Sequence, residues 1–139
     1  MNRFALFFVF MMALPLLAQD PNDCDNCKDP ALFNRMPGFY IYNYEDVDFD
    51  NFEFPVGAGK SQTVEGHHYY IDYYANENTK YPSGMQIVTN YSNAAKAVGG
   101  EKIYGFEDGG MHYVTLKVVT NNREVWIMVE AGSGGMYKV

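Results

Sequence analysis

The chain has 139 residues, with twelve tyrosines, ten phenylalanines and one tryptophan, and a formal charge of −7 from ten basic and seventeen acidic side chains. Such a length fits one ordinary domain behind an export signal and leaves no room for a second. The acidic balance sets the surface against nucleic acid and anionic headgroups, so neither is expected as a partner.

Residues 1–18 read as a secretory signal peptide, because Asn2 and Arg3 precede the apolar run "FALFFVFMMALPLLA" and polar residues follow Ala18 at once. Cleavage is expected before Gln19, although Leu16 is larger than the small residue usual at that place. A membrane-spanning helix would need about 20 apolar residues, and Pro15 with "QDPND" offers no stop-transfer pattern. Cys24 lies too far downstream to be a lipoprotein cysteine. The mature chain is therefore expected to be exported without a transmembrane segment, and losing Arg3 moves its formal charge from −7 to −8.

Residues 19–35 read as a flexible lead-in carrying "CDNC", and residues 36–139 as a single domain. A CxxC can be a redox pair, half of a zinc site or a local disulfide. The flanks "QDPND" and "KDPAL" lack the strand and helix of a thioredoxin-like unit, and the histidines lie forty or more residues on. A disulfide between Cys24 and Cys27, or two thiols in an oxidising compartment, is the expectation.

Gly38 to Tyr44 reads as a strand with Phe39, Ile41 and Asn43 on one face and Tyr40, Tyr42 and Tyr44 on the other. In "EDVDFDNFEF" the alternation then slips phase, which predicts a bulge or turn near Asp50 and Asn51. Asp46, Asp48 and Asp50 have the opening spacing of a calcium loop but lack its central glycine and distal glutamate, so solvated carboxylates explain them more simply. "VGAGKSQT" has the glycines and lysine of a phosphate loop, but Phe54 occupies the position of its first glycine. No metal or cofactor is expected.

"GHHYYIDYY", residues 66–74, places His67, Tyr69, Ile71 and Tyr73 on one strand face and His68, Tyr70, Asp72 and Tyr74 on the other. The adjacent histidines thus point apart and cannot chelate one metal together. Tyrosine favours strands and can bury its ring while its hydroxyl reaches water, so a structural strand is the first reading. A binding role falls to the outward face: His68, Tyr70, Asp72 and Tyr74, with Tyr113 from a later strand.

One helix is predicted, with Ser83 and Gln86 as a capping box, Gly99 and Gly100 at its end, and Val88, Tyr91, Ala95 and Val98 as its apolar stripe. Strands follow in "KIYGFED", "MHYVTLKVV", "EVWIMVEA" and the start of one in "MYKV", with Asn121 and Asn122 turning a hairpin. The expected fold is α+β: a mostly antiparallel sheet with one helix on one face, in the order β-β-β-α-β-β-β.

No nucleophile elbow or histidine–aspartate pattern appears, and "GSGGM" around Ser133 is a turn, so the chain does not read as an enzyme. The phrases "DPALFNRMPGFYIYNY", "FDNFEFPVG", "QTVEGHHYYIDY", "PSGMQIVTNYSNAAKAVGG" and "VTLKVVTNNREVWIMVEAGSGGMYKV" resemble the uncharacterised N-terminal region of outer-membrane-protein-A (OmpA) family proteins of Bacteroidetes-like bacteria. The resemblance implies a periplasmic or outer-membrane-associated envelope module that meets an envelope protein or glycan. It also implies a peptidoglycan-gripping domain beyond Val139, and peptidoglycan is a partner only if that domain follows. No segment here has that domain's "D-x-x-G…N-x-x-L-S-x-x-R-A" pattern, and "CDNC" departs from the family. The alternative is a small periplasmic metal-dependent or carboxylate-based enzyme, which would bring His112 to His67 or His68.

Overall fold

Alternating aromatic and polar residues from Phe39 onward fold, in a computed structural model that describes residues 19–139, as two long strands, β1 (Phe39–Gly57) and β2 (Lys60–Ala75). The signal segment lies outside the described residues. A helix, α1 (Gly84–Ala97), follows, and then β3 (Glu101–Asp108), β4 (Met111–Thr120), β5 (Arg123–Ala131) and β6 (Met136–Lys138). All neighbours pair antiparallel in one sheet of order β1-β2-β6-β5-β4-β3. The fold is α+β and mostly sheet, as expected. Its order is β-β-α-β-β-β-β because the first two expected strands are one bent strand and the terminal "MYKV" completes another.

Bulges explain the bend. β1 has 19 residues against 16 in β2, and the register shifts at Ile41/Asn43, Val47/Asp50 and Pro55/Gly57, each time with one extra residue on β1. The first shift extrudes Tyr42, which is exposed, and reverses the faces beyond it. Tyr44, not Asn43, therefore stands opposite Ile71 and packs on the core side. Each bulge adds local twist, and the sheet curls until β1 comes alongside β3 and β4 without pairing to them.

Ser83 caps α1, its Oγ accepting from the Gln86 N–H at 3.2 Å. Ile87, Val88, Tyr91 and Ala95 are buried against β3, β4 and β5. Val98, expected on that stripe, is half exposed because the helix has ended: Gly99 takes φ +81° and the Gly100 N–H bonds the Ala95 carbonyl at 2.8 Å. Gly84 and Gly100 allow close approach. A Cβ on Gly84 would lie 2.4 Å from the Ala131 carbonyl oxygen, and one on Gly100 would lie 2.7 Å from that of Lys117.

Residues 19–38 form no helix or strand, yet they are not a free lead-in. Cys27, Phe33 and Met36 are buried in the core beside Phe39, Ile41 and Tyr137. Cys24 and Cys27 are joined in a disulfide, and the Cys24 N–H bonds the Ile41 carbonyl at 2.9 Å. The segment closes on one arginine. Arg35 reaches Asp23 at 2.6 Å and Asp29 at 2.7 Å, while Asp23 also accepts the Ile41 N–H at 2.7 Å and Asp29 the Tyr73 hydroxyl at 2.9 Å. Burial by itself would raise the Asp23 carboxyl, but Arg35 and the backbone N–H groups outweigh it and hold the group below its ordinary value. Arg35 is correspondingly raised: burial opposes its charge, and the two carboxylates overcome that.

Two outcomes test this packing. Gly84→Ala forces the helix start off β5 and should lower stability in urea by about 1–3 kcal/mol, as overpacking does, whereas Met85→Ala at its exposed neighbour should change it little. A depressed folded pKa contributes stability that is present above the ordinary value of 3.8 and lost as pH falls through the folded value, so urea midpoints should fall below about pH 3.8. Arg35→Met leaves Asp23, whose side chain is 2% exposed, charged with no countercharge and only the Asp20 and Ile41 N–H groups as partners. It should cost about 3–5 kcal/mol at neutral pH, and mild acid should then restore stability by neutralising Asp23.

Candidate functional site

β6 lies between β2 and β5 for only a few residues: Asp72 to Tyr74 pair with Lys138 to Met136, and Glu130 and Ala131 with Lys138 and Tyr137. Ile71 and Val139 add one more exchange of backbone bonds. Past that point β2 and β5 both run on, with a cavity of about 710 Å³ between them. Phe52, Phe54 and Trp126 form one wall, and Leu32 and Phe33 of the N-terminal segment reach it from the helix side. Phe54 stands 5.6 Å from Trp126 and 4.8 Å from Phe52, centroid to centroid, so rings from β1 and β5 meet over the gap.

The expected outward face of β2 is the face away from α1, and its residues are half-buried because the sheet curls around them. His68 lies in the cavity wall, its Nδ1 3.1 Å from Asp50 and its ring 5.6 Å from Phe52. That hydrogen bond is the main reason the exposed Asp50 carboxyl is held below its ordinary value. Tyr70 lines the same cavity and engages Lys138, which is raised chiefly by that contact. Tyr74 packs edge-on against Tyr42 at 4.5 Å, outside the cavity.

Asp72 and Tyr113 belong to a row that crosses the whole sheet. Asn43, Asp72, Lys138, Glu130, Tyr113 and Phe106 stand opposite one another in turn on six strands. Lys138 therefore sits between two carboxylates, an arrangement that favours the pairing of β6 with both neighbours. Burial, with Glu130 and Asp108 beside it, raises the Tyr113 hydroxyl, and the ring stacks on Phe106 at 4.5 Å. His68 and Tyr70 thus share a cavity, Asp72 and Tyr113 share a ladder, and Tyr74 joins neither.

The three histidines sit with three different carboxylates. His67 Nε2 is 2.5 Å from Asp46, on the helix side of the hairpin, which lowers the Asp46 carboxyl. His68 meets Asp50 on the opposite face, and His112 Nδ1 is 3.8 Å from Glu107 on the far strand pair. Asp46 and Asp50, offered above as a calcium spacing, are thereby divided between the two faces. Among the described residues, no group of three or more histidine, cysteine, aspartate or glutamate side chains is placed to hold a metal. Among the same residues no helix is long and apolar enough to cross a membrane. No family model, curated protein or solved structure matches the chain.

Phe52, Phe54, Val64 and Trp126 were not singled out as site residues. The signal was partly visible, since the phase slip before Phe52 is the bulge that turns these rings, and Trp126 alternates away from the core residues Val125, Ile127 and Val129. Trp126 is the only tryptophan, so its emission reports the wall directly. Phe54→Ala, which removes the ring over the indole, should shift that emission to longer wavelength and leave far-ultraviolet circular dichroism unchanged.

Proposed function

We propose that this chain is a non-catalytic interaction module of the cell envelope, exported to the periplasm or the inner face of the outer membrane, where its aromatic cavity receives an envelope protein or glycan. The observation that carries the reading is the cavity between β2 and β5. It is large, walled by Phe52, Phe54 and Trp126, and open to solvent between two strands. Pockets of about 300–1,000 Å³ with apolar walls and a few polar groups are the usual form of binding sites, and His68, Tyr70 and Glu130 supply polar groups here.

Two further features support it. The histidines stand apart, each with its own carboxylate, which suits a surface that binds more than one that assembles an acid, a base and a nucleophile. The resemblance to the N-terminal region of OmpA family proteins supplies the compartment. It adds that peptidoglycan contact belongs to a following domain, not to these residues.

Purified, fluorescently labelled protein should be retained by outer-membrane fractions of a Bacteroidetes-like bacterium. Truncating a central aromatic anchor typically costs 2 kcal/mol or more, so Trp126→Ala should weaken retention about thirtyfold, while Phe49→Ala, at an exposed site away from the cavity, should not change it. Equal retention of both variants would remove the cavity from the function.

A further inference from the structure

Among the described residues, one buried side-chain oxygen or nitrogen has no hydrogen-bond partner, the Asp72 Oδ1. The large majority of buried side-chain polar atoms in folded proteins are paired, so an orphan of this kind calls for a reason. Asp72 lines a cavity of about 110 Å³ on the sheet face away from α1, together with Tyr74, Met111, Glu130, Met136 and Lys138. This cavity lies towards Met136, whereas the aromatic one opens past Lys138, and Glu130 and Lys138 line both.

Its walls follow from the strand register. Tyr74 stands opposite Met136, and Lys138 stands opposite Asp72 on one side and Glu130 on the other. Gly132 leaves room at the end of β5: a Cβ there would lie 2.7 Å from the Met111 Sδ, so the thioether folds over the chain where a side chain would otherwise stand. Lys138 is the one cation lining the cavity. Its amine engages Tyr70 and makes no ion pair with either carboxylate among the described residues. Two carboxylates against one ammonium leave the cavity with one formal negative charge in excess.

We propose that this cavity takes a primary ammonium on an unbranched alkyl chain, as carried by a lysine side chain or a free polyamine, with the Asp72 Oδ1 accepting from the ammonium. An ionised carboxylate can only accept, so the orphan oxygen needs a donor, and the excess charge favours one that is itself cationic. A neutral hydroxyl would satisfy the oxygen and leave that charge in place. A guanidinium brings five donors in a planar fork, against one orphan oxygen here. A divalent cation such as calcium takes six or more oxygen ligands, and among the described residues no group of three or more histidine, cysteine, aspartate or glutamate side chains is placed to hold one. Met111 and Met136 supply soft, adaptable walls for an alkyl chain, and Tyr74 supplies a ring for the cation. The chain's formal charge of −7 draws cations to its surface.

The probe is Nα-acetyl-lysine methylamide, titrated into protein with isotopically labelled methionine methyl groups and read by NMR, with the neutral norleucine analogue as control. The Met111 and Met136 signals should move, while those of Met85 on the helix and Met128 in the aromatic cavity should stay. Asp72→Asn removes the charge and keeps the shape, so binding should weaken about tenfold or more with the urea midpoint maintained. Glu130→Gln, which removes the excess charge from the other side, should weaken it as well. Equal movement with the norleucine analogue would overturn the proposal, because an apolar cavity would then account for it. So would still signals at Met111 and Met136, or unchanged affinity in both variants. Spermidine and a short alanine peptide with one central lysine separate the two sources: the tighter competitor names the source, and failure of both to displace the lysine derivative would sink the assignment. Outer-membrane retention through Trp126 is read separately, so loss of this site would leave the binding-module reading standing.

Discussion

Tyr137 holds together parts of the chain that are far apart in sequence. It stands on β6, three residues long, and is 1% exposed. Its ring stacks on Tyr73 at 4.6 Å, meets Phe39 edge-on at 5.1 Å and lies 5.8 Å from Tyr91 of the helix. Its hydroxyl accepts the Met36 N–H at 2.9 Å and stands 3.2 Å from the Tyr91 hydroxyl. Hairpin, helix and N-terminal segment thus converge on one phenol. Burial pushes that phenol up to about 12, so it stays protonated across the physiological range.

The consequence is a sheet of two parts with one narrow seam. β1 and β2 make one long unit, and β3, β4 and β5 with α1 make the other. Only β6 pairs across them, and it does so at one end of the hairpin. The rest of the hairpin is steered by its bulges and by contacts such as Phe54 on Trp126, without backbone bonds to β5. A seam anchored at one end and unpaired beyond is what produces a cavity inside a sheet, where continuous pairing would leave none. The N-terminal segment matters for the same reason, since Leu32 and Phe33 cover the helix side of the seam.

Much of this architecture was legible in the residues. The helix from Ser83 to its glycine end, the β4–β5 turn at Asn121 and Asn122, and the outward direction of His68, Tyr70, Asp72 and Tyr74 all follow from local chemistry with short-range consequences. The phase slip near Asp50 was legible as well. What it does was not, because a bulge shows only that faces exchange, and whether the strand turns back or continues depends on its partner. Tyr42 gave no such warning, since an extruded tyrosine and an alternating one read alike. The packing of residues 19–38 was hidden for another reason: Arg35, Asp23 and Asp29 look like solvated charges until their separation in space is known.

The aromatic excess in β1 and β2 takes its meaning from the curl. A flat sheet with one free face would leave Tyr70 and Tyr113 in water, where twisted strands instead bring rings of the second face together. Phe106 on Tyr113, Tyr104 beside Phe106, and Tyr40 and Tyr42 around Tyr74 are all pairs on that inner curve. Rings can be held there while hydroxyls remain wet. β6 keeps β2 and β5 apart at one end of the hairpin, and Phe54 against Trp126 brings β1 and β5 together beyond it, so the wall of the cavity is built from both ends of the seam.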